Sequence, residues 1–253
     1  MRNQGVKTSM SMLFRMLLRR RIIPILLLAI PAAFLLAVYW TTSERMMPFR
    51  LASVAEEVFL EASECNISLL FLAVASVGFL SSFLALNLIQ REAAASHRLV
   101  LCGYHPVALL LSKLAVLTCC TALIALYVSL ALLAFFTPEH LFLMMLGLFL
   151  AGLVYGCYGL LVGSLIRGEL EGILLIVLLA NIDAGWLQNP LFYAGAENQF
   201  IIRWLPAYFP SQAAIAAAFS DYSISTSVLG SCLYVMFFLM MAGIFYFNKM
   251  RTT

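Results

Sequence analysis

Apolar positions dominate this chain in six long runs divided by short polar segments. Ile22 to Trp40, Asn66 to Ile89, Val107 to Phe136, Leu141 to Ile166, Leu170 to Trp186 and Thr226 to Phe247 approach or exceed the roughly 20 residues of a membrane-spanning helix. As one helix, Val107 to Phe136 would reach roughly 45 Å, so it must tilt or project beyond a bilayer. Pro24 and Pro31 predict a kink in the first run. Upstream, Met10, Leu13, Phe14, Leu17 and Leu18 recur at three- and four-residue steps among basic residues. That spacing predicts an amphipathic helix over residues 1–21 lying in the interface. A signal peptide is the alternative, but no small-x-small cleavage site follows the span-length run.

The polar segments carry their own structure. Residues 41–65 hold Glu44, Glu56, Glu57, Glu61 and Glu64 against Arg45 and Arg50, so they are expected outside, with a surface helix over Val54 to Leu60. Residues 90–105 read as a short helix: three consecutive alanines favour it, Gly103 suits a left-handed cap, and Pro106 suits the first turn of the next helix. Arg91, Ala95, Arg98 and Cys102 share one face, a modest basic stripe that as a plain connection would simply be solvated. Arg91 and Glu92 are adjacent and point about 100° apart, which leaves each free to find a partner on another subunit. Before the last run, Leu205-Pro206 and Pro210 precede the Ala-rich Ser211 to Phe219. At about 15 Å that piece is too short to cross, which predicts a short outer re-entrant helix pair within residues 187–224.

Composition adds that 64% of residues are hydrophobic and 11% charged, with a mean hydropathy of +1.00. This is an all-α integral membrane protein, a single transmembrane domain over residues 1–253. The net charge of +3 is no nucleic-acid signal, because the basic residues are sorted by side. Twelve of the fifteen Lys and Arg fall in the tail, the 90–105 segment and the other inner connections, including Lys113, Arg167, Lys249 and Arg251. Arg45, Arg50 and Arg203 fall outside, which sets six spans with both termini cytoplasmic. Lys113 is expected to snorkel to the inner headgroups. Six scattered cysteines and three histidines form no metal-ligand or disulfide pattern, and Cys65 and Cys102 lie at opposite sides as reporters of topology.

Candidate chemistry is sparse. No phosphate-binding Gly-x-x-x-x-Gly-Lys-Ser/Thr motif occurs, and Gly163-Ser164 lacks the later histidine that an intramembrane serine protease needs. No catalytic or metal-binding residue is expected. Gly152/Gly156 and Gly159/Gly163 are packing spacings. Asp183, near the outer end of the fifth run, costs roughly 3 kcal/mol to insert. It reads equally as a substrate or ion contact and as a residue close enough to the interface to hydrate or to cap a short helix around Trp186.

An apolar span, then Arg91-Glu92, a short helix, Gly103-x-x-Pro106 and an apolar helix carrying Lys113 resembles the permease subunit of type 2 ABC exporters. The Leu205-Pro206…Pro210 motif before the last span is similar to that family too. The resemblance covers essentially the whole chain through motifs that persuade by their order. It implies an elbow helix, six spans, a coupling helix that meets an ATPase subunit, and outer helices. Arg91, Glu92, His97 and Arg98 match the coupling position, and Phe79, Phe83, Asn181 and Asp183 the pathway helices. It further implies a plasma- or inner-membrane exporter that is not itself an enzyme, paired with a second permease copy or homologue. ATP and Mg would be held by the separate ATPase, with no cofactor on this chain. A mostly apolar pathway favours an amphiphile: a drug, an antibiotic peptide or a lipid. The alternatives are a non-transporting membrane anchor or immunity-type partner, and a membrane-embedded enzyme.

Overall fold

A computed structural model describes residues 10–252 except 16, 18, 20, 21, 52–58, 167, 191, 192 and 194–197. Arg167, most of the expected 54–60 surface helix and part of the expected elbow helix lie outside the described residues. The helices are α1 (Ile22–Thr41), α2 (Glu64–Gln90), α3 (Ala93–Leu101), α4 (Pro106–Leu132), α5 (Leu141–Leu165) and α6 (Glu169–Ile182). A π-helical turn (Asp183–Leu187) extends α6, and α7 (Gln199–Arg203), α8 (Tyr208–Phe219) and α9 (Ser225–Thr252) complete the chain. Six helices are long and apolar enough to cross a membrane, one of them α6 with its π-turn. Residues 10–15 are helical as well, with Leu13 buried against Leu84, Leu88, Tyr246 and Met250. That cluster puts residues 10–15, the end of α9 and α3 at one end of the bundle, here called the basic end.

The acidic segment after α1 is not a helix throughout. Strands β1 (Met46–Arg50) and β2 (Phe59–Ser63) form an antiparallel hairpin with Phe49 opposite Leu60, so Phe59 and Leu60 are in a strand, not in the expected surface helix. The period-two pattern has a physical use. Phe49 and Ala62 point inward, and Phe49 meets Phe219 edge-on at 5.8 Å while Phe219 stacks on Phe136. The hairpin thus lies over the bundle end opposite the basic end. Cys65, beside it, is buried and unsuited to report topology.

Helix α5 is the axis on which α2, α4, α8 and α9 pack. Its glycines explain how. A Cβ on Gly159 would sit 2.3 Å from the Ser82 carbonyl oxygen, one on Gly152 2.4 Å from the Thr121 methyl, and one on Gly147 2.6 Å from the Ala214 backbone. Backbone therefore lies directly on backbone at two levels, and dispersion contacts replace the hydrophobic drive that lipid cannot supply. The same logic buries Ala213 to Ala218 of α8.

Gly159→Ala should lower the thermal midpoint of the purified protein, because the atom it meets is backbone and cannot rotate away; overpacking of this kind costs about 1–3 kcal/mol. Gly243→Ala, whose nearest neighbour would be Leu110 at 3.9 Å, should be near neutral. Equal midpoints for the two variants would show that the α2–α5 contact is not tight.

Candidate functional site

Two polar clusters interrupt the apolar bundle. The first surrounds α3. Gly103 adopts φ +91°, Gly103 N–H donates to Val100 O and Tyr104 N–H to Leu99 O, a complete left-handed helix stop. His105 then caps α4, its Nδ1 accepting from Val107 N–H at 3.3 Å with Pro106 in the first turn. A break this well formed fixes α3 against the start of α4.

Lys113 does not snorkel. It is 2% exposed, and its Nζ donates to the Leu88 carbonyl at 2.7 Å, lies 3.9 Å from Glu92 Oε2 and stands 5.6 Å from the centre of the Tyr246 ring. The cation therefore caps the carbonyl end of α2, where the helix dipole favours positive charge. Lys249 does the same for α5, donating to Gly163 O at 3.2 Å, and Gln90 donates to Ile166 O and Gly168 O. Arg91 Nε meets Glu169 Oε1 at 3.3 Å, so the α2 end is also tied to the first turn of α6.

These contacts change the reading of the four residues matched to the coupling position. Arg91 and Glu92 both have partners within the chain, Glu169 and Lys113. His97 is half-buried, with its Nδ1 enclosed and unbonded. Arg91 is exposed beside Glu169, and Arg98 is presented outward together with Ala95, Leu99, Leu101, Cys102 and Tyr104. Apolar side chains on the polar end of a bundle form an exposed face that water alone does not favour.

The second cluster centres on Asp183, which is fully enclosed and level with Tyr155 near the middle of α5 rather than at an outer edge. Tyr155 Oη donates to Oδ2 at 2.5 Å, Ala207 N–H donates to Oδ2 at 2.8 Å, and Gln188 Nε2 donates to Oδ1 at 2.9 Å. Three converging donors are what a carboxylate needs in an apolar interior. Ala207 is the residue before α8, so the carboxylate also faces that helix's positive end. Neither hydration nor an open ligand contact describes Asp183 in this conformation.

Of the other expected pathway residues, Phe79 packs against the cluster holding Tyr155, Ala180, Ala184 and Ala207, and Phe83 meets Phe79 edge-on at 4.5 Å. Asn181 is not brought there; it is exposed and donates to Val177 O within its own helix. Sequence reading missed Tyr155 and Gln188. Gln188 could have been noticed as an amide five residues beyond a buried acid, whereas Tyr155 gave no signal within its glycine-rich run.

Among the described residues no three His, Cys, Asp or Glu side chains gather into a metal-binding group. No protein-family model matches the chain, and no curated protein is significantly similar to it.

Removing the Asp183 carboxylate leaves buried donors unpaired, at about 1–3 kcal/mol each. Asp183→Ala should therefore unfold at markedly lower temperature in detergent, and Asp183→Asn, which keeps one acceptor, should fall between it and wild type. An Ala variant as stable as wild type would dismiss the knot. Lys113→Met keeps the apolar stem but leaves Leu88 O without its donor; amide exchange across residues 91–101 should rise several-fold while the α5 core stays protected. Unchanged exchange would mean that Lys113 does not hold α3.

Proposed function

We propose that this chain is the membrane-spanning subunit of an ATP-driven exporter of the type 2 ABC kind, moving an amphiphilic substrate outward with a separate ATPase subunit. One observation carries the reading. A short, well-terminated helix at the basic end follows the α2 end that the buried lysine of α4 caps, with Glu92 at its start 3.9 Å from that lysine, and exposes Arg98, Leu99 and Leu101. A solvated loop has no use for such an anchorage, whereas a part that must pass a partner's movement to the spans does.

In this reading the basic end is cytoplasmic, in the plasma or inner membrane, by the excess of Lys and Arg there. Residues 10–15 belong to an interfacial elbow helix, and α7 and α8 are the outer re-entrant pair. A second copy or a homologous permease completes the pathway, and ATP and Mg belong to the ATPase. Arg98 supplies long-range attraction and register to the ATPase groove, and the exposed leucines supply contact area. Phe79 and Phe83 contribute an apolar pathway wall, with Asp183 holding that wall in place from behind.

The test is purification from native membranes with the copurifying ATPase activity as readout. Arg98→Glu combined with Leu101→Asp should lower the associated activity by roughly tenfold or more, since both alter the docking face, while expression and thermal midpoint stay normal. In intact cells Cys102 should react with an impermeant maleimide only after permeabilisation, and Ser43→Cys without it. Wild-type protein that never brings an ATP-hydrolysing subunit with it would favour the non-transporting anchor or immunity-type partner instead.

A further inference from the structure

Between the N-terminal helical segment, α1, α2 and α4 runs a crevice of about 220 Å³ lined, among the described residues, by ten side chains, none of them charged. Phe14 and Leu17 form one wall, Cys120 and Tyr127 belong to the α4 wall, and the mouth is marked by Leu28 and Leu123. These two are 52% and 54% exposed, so the opening faces sideways, onto the surface a bilayer covers. The only polar group of the lining's aromatic end is already used, as Tyr127 Oη donates to Leu28 O at 3.1 Å. Such a space offers a water nothing to bond, though it is far larger than the roughly 10–15 Å³ one water needs. Left empty, its walls would lose their dispersion contacts.

The size and lining select the occupant. A helix from a second copy is about 10–12 Å across with its side chains and does not enter a space of this volume; a single hydrocarbon chain does. The segment that walls the crevice is also the most basic part of the protein. Arg15 follows the wall residue Phe14, Arg19 lies one turn further on, both are exposed, and no acidic residue precedes Glu44 in the chain. We propose that the crevice is a resident phospholipid site: one acyl chain lies between α1 and α4 while an anionic headgroup is met by Arg15 and Arg19. The lipid is then a structural ligand that seats the N-terminal segment on the bundle, apart from any transported substrate.

The experiment uses the full-length protein in detergent micelles, with phosphatidylglycerol and phosphatidylcholine of identical chains as probes. Native mass spectrometry should show one retained phosphatidylglycerol per chain, bound roughly ten- to thirtyfold more tightly than phosphatidylcholine from the pull of two arginines, with a matching rise in thermal midpoint. Arg15→Gln with Arg19→Gln should reduce the binding of phosphatidylglycerol to that of phosphatidylcholine, because only the headgroup contact is lost. Cys120→Phe, which fills the crevice, should abolish retention of both; if it fails to fold, Leu123→Trp at the mouth serves the same purpose. Equal retention of the two lipids by wild type, unchanged preference in the double Gln variant, or lipid found only in dimers would each overturn the proposal.

Discussion

In an apolar slab no water is at hand to satisfy the backbone, so every helix end inside it needs a partner from the protein. The two buried ionisable side chains Lys113 and Asp183 answer that requirement, each meeting a helix end. Helix α8 has only 12 residues, about 18 Å, yet its alanines are completely enclosed. It can be so because both of its ends are met. Asp183 accepts the N–H of Ala207 at its start, and the N–H groups of Glu139 and His140 donate to Ala218 O and Ala217 O at its finish. At the basic end the signs invert: Lys113, Lys249 and Gln90 bring donors to the carbonyl ends of α2 and α5. An acid at a helix start and cations at helix ends is the arrangement the peptide dipoles favour.

Close packing and these polar contacts depend on each other. Tyr155 reaches Asp183 from α5 only because its ring lies against Gly78, where an added Cβ would come within 3.1 Å. Gly147 lets α8 settle directly on α5, which brings Ala207 to the depth of the carboxylate. A larger residue at Gly147 would push the α8 backbone off α5, whereas one at Gly78 would ask the Tyr155 ring to give by a few tenths of an ångström. The glycine-rich axis therefore serves the buried charge as well as the helix contacts.

The spans, the stop at Gly103 and the start at Pro106 were legible because each rests on local rules: apolar run length, a residue that accepts positive φ, and a proline without an N–H. The observed α2, α5 and α9 begin within two residues of the runs read from sequence. What was hidden depends on distant partners. Lys113 sits two turns into an apolar helix, where snorkelling and capping look identical until Leu88 is seen beside it. Asp183 likewise gave no hint that Tyr155, 28 positions earlier, would enclose it. The hairpin escaped because its inward residues, Phe49 and Ala62, are few and its acidic composition resembles an exposed helix.

The same contacts decide what α3 could transmit. The Arg91–Glu169 pair is about half exposed, and such pairs contribute about 0–1 kcal/mol, enough to favour a register and little more. The Lys113–Leu88 bond is enclosed, and breaking it would strand a buried cation, so it resists displacement far better. A push on the outer face of α3 would thus be taken up first by the ends of α2 and α4 and only weakly by α6. Helix α2 in turn bears on α5 through the Ser82 backbone at Gly159, a contact with no side chain to yield. Under the proposed function, partner movement would turn α2, α4 and α5 together and carry the Asp183 end of α6 with them, because Tyr155 ties it to α5, while the first turn of α6, met by the half-exposed Arg91–Glu169 pair, yields more readily.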